Sequence, residues 1–289
     1  MGLVKDAFNQ EYINKLNAIN LRLQSKMRGG YSGNRRSKAK GSSTEFSDFK
    51  DYTRGDDIRR IDWNSYARLN KLFIKLYEEE KQANINIFLD ISKSMDFGRP
   101  NKFIYSKVMA ASLVYIAMNA ADRANIFTIN NSLSLQLKSL SSKAAFAKTL
   151  DYLDSLEAEG ETSFSDSFKS LGQMNLGRVL NVILSDFFDR ESYEQAFKII
   201  RAKADGSFAL QILSPQEIEP SYTGGVRFVD NESGAGLDLD MDELVIEHYK
   251  QELSDYNKKL SLTARENGIE HIIVNTDTPY MEWLWKMRL

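Results

Sequence analysis

The chain contains no cysteine. Disulfides, thiolate metal centres and cysteine nucleophiles are therefore excluded, and a reducing compartment is the expected setting. Histidine is scarce: only His248 and His271 occur, far apart in sequence. That excludes a multi-histidine zinc site and leaves a Ser-His-Asp triad two candidate bases. Long apolar runs are also missing. The longest, VMAASLVYIAM from Val108 to Met118, is too short for a bilayer and has charge close on both sides. The N-terminus, MGLVKDAFNQEY, has no apolar segment of the secretory-signal kind. The expected location is the cytoplasm. No G-x-x-x-x-G-K-[ST] loop is present, so ATP hydrolysis by this chain is not expected. A net charge of −2 over 289 residues does not describe a generic polyanion binder.

What is present is a globular profile. The chain is 42% hydrophobic and 27% charged, enough for a large core in one large domain or two small ones. Apolar positions at Phe8, Tyr12, Leu16, Ile19, Leu23 and Met27 predict an amphipathic helix over 8–28. The run RGGYSGNRRSKAKGSS reads as a flexible basic loop, followed by a stretch dense in aromatics and in charges of both signs, with a strand at 72–78. From Asn84 a regular alternation begins. NINIFLD, ANIFTIN, RVLNVIL, SFALQILS and IEHIIVNT read as strands, and SLSLQLK as the return arm of a hairpin. Helices are expected at 102–121, 142–157, 163–174, 191–204 and 242–267, with a closing helix near the C-terminus. Pro215, Pro220 and several glycines mark 214–241 as a β-rich insertion. Strands alternating with helices imply an α/β fold: a doubly wound, mostly parallel sheet covered on both faces.

In such sheets, sites form beyond the carboxyl ends of the strands. The stretch FLDISKSMDFG, Phe88 to Gly98, places a D-x-S-x-S pattern at one such end, with Asp90, Ser92 and Ser94. Asp186 ends the strand RVLNVIL, and Thr162 lies in the loop GETSF before a helix. Five oxygen groups without imidazole or thiolate suit Mg²⁺, with Mn²⁺ or Ca²⁺ as alternatives. Three neutral hydroxyls can bind such a cation while two aspartates balance its charge, leaving a position for an outside carboxylate. The plainer alternative makes Ser92 or Ser94 the cap of a turn, Thr162 the cap of a helix and Asp186 an ordinary loop carboxylate.

The order D-x-S-x-S, then T, then D, resembles the von Willebrand factor A fold with its metal-ion-dependent adhesion site. The hairpin ANIFTINNSLSLQLK fits that fold's single antiparallel edge strand. The resemblance covers about residues 81–289. It implies direct metal coordination by Ser92, Ser94 and Thr162, with Asp90 and Asp186 acting mainly through water. A narrower resemblance lies upstream. The pattern Y-x-x-G-D-D-x-R-x-I-D-W-x-x-x-A-R runs from Tyr52 to Arg68 and is similar to a bacterial family of von Willebrand A-like proteins labelled domain of unknown function fifty-eight. That family implies a MoxR-type AAA+ ATPase as collaborator in assembling or maturing other proteins. Many members carry membrane-spanning segments before this region, whereas this sequence shows none.

The expected organisation is therefore two-part. Residues 1–80 form an N-terminal helix, a basic loop and a charged aromatic segment packed on the main domain, and residues 81–289 form the von Willebrand A-like domain. Within the signature, Arg54, Asp56, Asp57, Arg59, Arg60, Asp62 and Arg68 read as a mixed-sign network, with Trp63 and Tyr66 as packing anchors. This strip either braces the N-terminal segment or docks a partner, for which Arg, Trp and Tyr are favoured. Residues expected to rim the metal are Met95, Asp96, Ser163 and Phe187. The seven Lys and Arg between Arg22 and Lys40 suit peripheral contact with anionic lipid, and only Tyr31 interrupts them as an aromatic, so nucleic acid is not the expected partner. The leading expectation is a non-enzymatic, metal-dependent module that captures an exposed Asp or Glu of a client. The alternatives are a Mg²⁺-dependent phosphohydrolase with Asp90 as nucleophile, against which Ser92 stands where a D-x-D enzyme carries its acid, and a scaffold with a vestigial metal site.

Overall fold

A computed structural model describes residues 2–18, 44–79, 83–161, 163–171, 179–188, 193–229 and 236–287. The chain divides into two compact units, one of Met1–Tyr31 with Ala83–Leu289, the other of Ser32–Gln82. The expected division at residue 80 therefore shifts. The N-terminal helices α1 (Leu3–Ala7) and α2 (residues 10–18) belong with the larger unit, because Val4, Tyr12 and Leu16 are buried in its core. The Tyr12 hydroxyl meets Ser112 Oγ at 2.7 Å, and the Val4 N–H donates to Asp154 Oδ1 at 2.8 Å. The rest of the helix predicted over 8–28, and most of the basic run, lie outside the described residues.

The larger unit is built on six strands: β3 (Asn84–Asp90), β4 (Arg123–Ile129), β5 (Leu133–Leu140), β6 (Val179–Ser185), β7 (Gly206–Leu213) and β10 (Glu270–Asn275). Their spatial order is β10-β7-β6-β3-β4-β5, all parallel except β5, which returns antiparallel at one edge. Among the described residues this is a doubly wound, mostly parallel sheet with one antiparallel edge strand, as the strand and helix alternation implies. The central strands β3 and β6 are buried along nearly their whole length, as near-continuous apolar runs require. Alternate residues feed two cores. Ile85, Ile87 and Leu89 face one that includes α4 (Lys102–Asn119), α5 (Lys143–Ser155), the N-terminal helices and α10 (Glu282–Lys286). Phe88, Phe127 and Ile183 face the other, with α6 (Phe164–Leu171), α7 (Glu194–Lys203) and α9 (Glu243–Glu266). Trp283 is a buried core anchor of the closing helix. The insertion contains a short helix, α8 (Pro215–Ile218), and a hairpin of β8 (Gly224–Val229) with β9 (Gly236–Met241).

The smaller unit is a hairpin of β1 (Thr44–Asp51) and β2 (Phe73–Glu79), whose connection carries the signature. Its aspartates serve local turns. Asp56 accepts from the Thr53 N–H and hydroxyl at 2.9 and 2.7 Å. Asp57 accepts from the Arg59 N–H at 3.1 Å, and Asp62 caps α3 (Trp63–Leu69) through Asn64 N–H and Ser65 Oγ. Arg54, Arg59, Arg60 and Arg68 are exposed. Trp63 and Tyr66 are not packing anchors. They are 62% and 41% exposed and meet each other edge-on, because α3 buries none of its residues.

Candidate functional site

Strands β3 and β6 are parallel neighbours, with Leu89 opposite Leu184. Their next residues are Asp90 and Ser185, so the register itself brings the D-x-S-x-S stretch beside the S-D pair. Both oxygens of the buried Asp90 carboxylate are held: Oδ1 accepts the Ser92 N–H at 2.9 Å, and Oδ2 accepts the Ser185 hydroxyl at 2.5 Å. The backbone then turns through a 3₁₀ segment, Lys93–Met95. Ser92 stands at its N-cap, yet its hydroxyl makes no capping bond. It meets Ser94 Oγ instead, at 2.9 Å. The turn-cap alternative for Ser92 thus does not describe this side chain.

The loop around position 162 is stitched to the same rim. The Glu159 N–H donates to Ile91 O at 2.6 Å, and the Lys93 N–H donates to Gly160 O at 3.1 Å. Gly160 takes φ +76°, a left-handed conformation that glycine adopts freely. The Ser163 N–H donates to Asn130 O, and Ser163 Oγ accepts the Asp166 N–H at 3.4 Å near the start of α6. Thr162 itself lies outside the described residues.

Asp186, buried at the end of β6, accepts the Phe188 N–H on Oδ1 at 3.1 Å and Lys102 Nζ on Oδ2 at 2.7 Å. Lys102 also donates to Glu217 Oε1 at 2.6 Å. Burial lowers the pKa of this ammonium, but the fields of Asp186 and Glu217 and the hydrogen bonds to both together outweigh it, and the net shift is upward. Lys102 and Glu217 are the members that pattern reading missed. They stand 12 and 127 residues after Asp90, and only the fold brings both to Asp186.

Two of the expected rim residues prove to be core. Met95 and Phe187 are fully buried. Phe187 has φ +59° and stacks on Phe164 with ring centroids 5.2 Å apart, so its ring belongs to the second core. The exposed aromatics here are Phe97 and Phe188. Asp96 remains exposed and accepts from Asn101 Nδ2 at 2.8 Å.

No group of three or more Asp, Glu, His or Cys able to hold a metal occurs among the described residues. A divalent cation at this rim would draw on the hydroxyl oxygens of Ser92 and Ser94 beside the Asp90 carboxylate. The residues fit that demand: the 2.9 Å between Ser92 Oγ and Ser94 Oγ is also about the spacing of adjacent oxygens around an octahedral ion with bonds of about 2.1 Å. Among the described residues the histidines form no triad. His271 Nδ1 meets Ser261 Oγ at 2.7 Å, but Nε2 meets the amide oxygen of Gln211 at 3.1 Å where a triad needs a carboxylate. These two residues line a groove of about 970 Å³ between α9 and β10, and His248 is exposed.

The chain belongs to the family described as "Protein of unknown function DUF58", which matches residues 48–259. It is similar to the uncharacterized protein Rv1480 of Mycobacterium tuberculosis, 21% identical over 274 residues that cover 93% of this chain and 85% of that one. Among solved structures it is similar to an aerotolerance-related membrane protein of Bacteroides fragilis, at 17% identity and TM-score 0.45, covering 71% of this chain and 96% of that one. A von Willebrand factor type A protein of Catenulispora acidiphila is similar at 14% identity and TM-score 0.45, covering 74% and 43%. No helix among the described residues is long and apolar enough to cross a membrane.

Proposed function

We propose that the protein is a non-enzymatic, metal-dependent interaction module. Asp90, Ser92 and Ser94, with Thr162, would hold a divalent cation, Mg²⁺ in the first instance and Mn²⁺ or Ca²⁺ as alternatives, and the site would take an exposed Asp or Glu of a partner protein. The bound ion supplies a Lewis-acidic position that an outside carboxylate fills. The observation that carries this reading is the paired hydroxyls of Ser92 and Ser94, directed at each other beside Asp90 rather than used as caps. Asp90 holds the Ser92 backbone in place and contributes negative charge beneath the pair. Phe97 and Phe188 supply exposed apolar surface beside it, which a single carboxylate contact needs for useful affinity.

A second surface favours a collaborator. In the signature the aspartates are spent on local caps, while Arg54, Arg59, Arg68 and Trp63 are exposed. This composition suits docking of an acidic, partly apolar partner face, and a MoxR-type AAA+ ATPase is the partner we propose. A phosphohydrolase reading fares less well, because Asp90 is buried and both its oxygens already accept hydrogen bonds. The test is calorimetric titration with Mg²⁺ and Mn²⁺ of the wild type beside Asp90→Ala/Ser94→Ala. Saturable binding lost in the variant supports the reading, and absence of binding in both overturns it.

A further inference from the structure

Asp186 is expected to balance the charge of a cation at the rim, yet its Oδ2 is already held by Lys102 Nζ at 2.7 Å. The ammonium is 1% exposed, and the aromatic rings of Phe97 and Phe188 lie 5.8 and 5.7 Å from it. Its other carboxylate partner is Glu217, which is itself fixed. Glu217 Oε2 accepts the Ser214 N–H at 2.7 Å and the Ser214 hydroxyl at 2.9 Å, closing a capping box at α8. Lysine is a costly choice at this position. Lys102 is the first residue of α4, where the helix dipole disfavours a cation, and its charge is out of water. A buried ion cluster is also a weak source of stability compared with apolar packing. Its charge, by contrast, acts directly on the rim, since the carboxylate it neutralises follows the residue bonded to Asp90.

We propose that Lys102 is a positioning residue that acts as a tethered cation. It occupies Asp186, leaves the metal to Asp90, Ser92 and Ser94, and keeps metal affinity low until a partner carboxylate supplies the missing negative charge. This inference rests on the metal-dependent reading above. It differs from a structural role in the direction of its effect: a damaged site binds metal less well, whereas a site relieved of a competing cation binds it better.

The test is calorimetric titration of Mn²⁺ into four proteins: wild type, Lys102→Met, Lys102→Met/Glu217→Gln and Ser94→Ala. The double variant removes one charge of each sign and so stays foldable where Lys102→Met alone leaves Asp186 and Glu217 without their shared counter-charge. Loss of a unit charge beside a dication predicts binding about tenfold tighter or more in both Lys102 variants. It also predicts a larger rise in melting temperature on adding Mn²⁺ than the wild type shows. Equal or weaker binding in the Lys102 variants, with binding still abolished by Ser94→Ala, overturns the role of Lys102 and leaves the metal reading standing. No binding in any of the four overturns both.

Discussion

At Asp90 and Asp186, two carboxylates that look equivalent in sequence have different environments. Asp90 accepts a backbone N–H and a serine hydroxyl, while Asp186 holds a buried ammonium. The charge of Asp186 is largely balanced by that ammonium. His271 supports a prediction of its own. Desolvation lowers its pKa from 6.5 to about 4, and its ring contacts are the uncharged Ser261 and Gln211. The folded state therefore keeps the ring neutral where the unfolded chain protonates it. That contribution to stability is fully present above pH 6.5 and is lost as pH falls toward 4. Urea unfolding at pH 7.5 and pH 5 is expected to show a loss of about 2 kcal/mol from this group, which His271→Gln should remove. Identical pH dependence in the two proteins would contradict it. Gly98 is a second residue-scale test. At φ +88°, a Cβ there would lie 2.3 Å from the Ser214 Cβ, so Gly98→Ala should destabilise by about 2 kcal/mol or more in chemical denaturation.

At the scale of elements, the alternation of strands and helices was legible because central parallel strands are almost wholly apolar. The strand β1 was not. Its register shifts between Phe46 and Asp48, which breaks the two-residue alternation and leaves Phe46 and Phe49 three apart, a helix-like spacing. The site shows the same division. D-x-S-x-S and the later S-D are local patterns at strand ends and can be read directly. Lys102 looks like an ordinary first-turn residue, and Glu217 like part of a loop insertion, until the topology places both against Asp186. The sheet also hides a polar ladder in its core. Asn125 Nδ2 donates to Asn86 Oδ1 at 2.9 Å and Asn86 Nδ2 to Asn181 Oδ1 at 3.1 Å, across β4, β3 and β6 at one register level. Asn86→Val strands a buried donor on one side and an acceptor on the other. The expected cost is about 2–4 kcal/mol by urea unfolding. Replacing all three asparagines with apolar residues should recover part of it, and a neutral single variant would show that the ladder is dispensable.

At the scale of the whole molecule, the two units differ in what holds them. The larger has a six-stranded sheet between two cores, whereas the smaller rests on a two-stranded hairpin, an element that is marginal by itself in water. Amide exchange in β1 and β2 should therefore run orders of magnitude faster than in β3 and β6; equal protection would mean that the hairpin shares the cooperativity of the large sheet. Such a division suits the two roles we propose, capture at the rim and docking through the signature. Of these, capture is tested most directly by the position of a bound ion. Crystals grown with Mn²⁺ and measured at the manganese absorption edge would locate it by anomalous scattering. The prediction is a peak at coordination distance from the Ser92 and Ser94 hydroxyls, with Lys102 still on Asp186. A peak that touches neither serine, or none at the rim at saturating Mn²⁺, would contradict a metal-dependent function for this site.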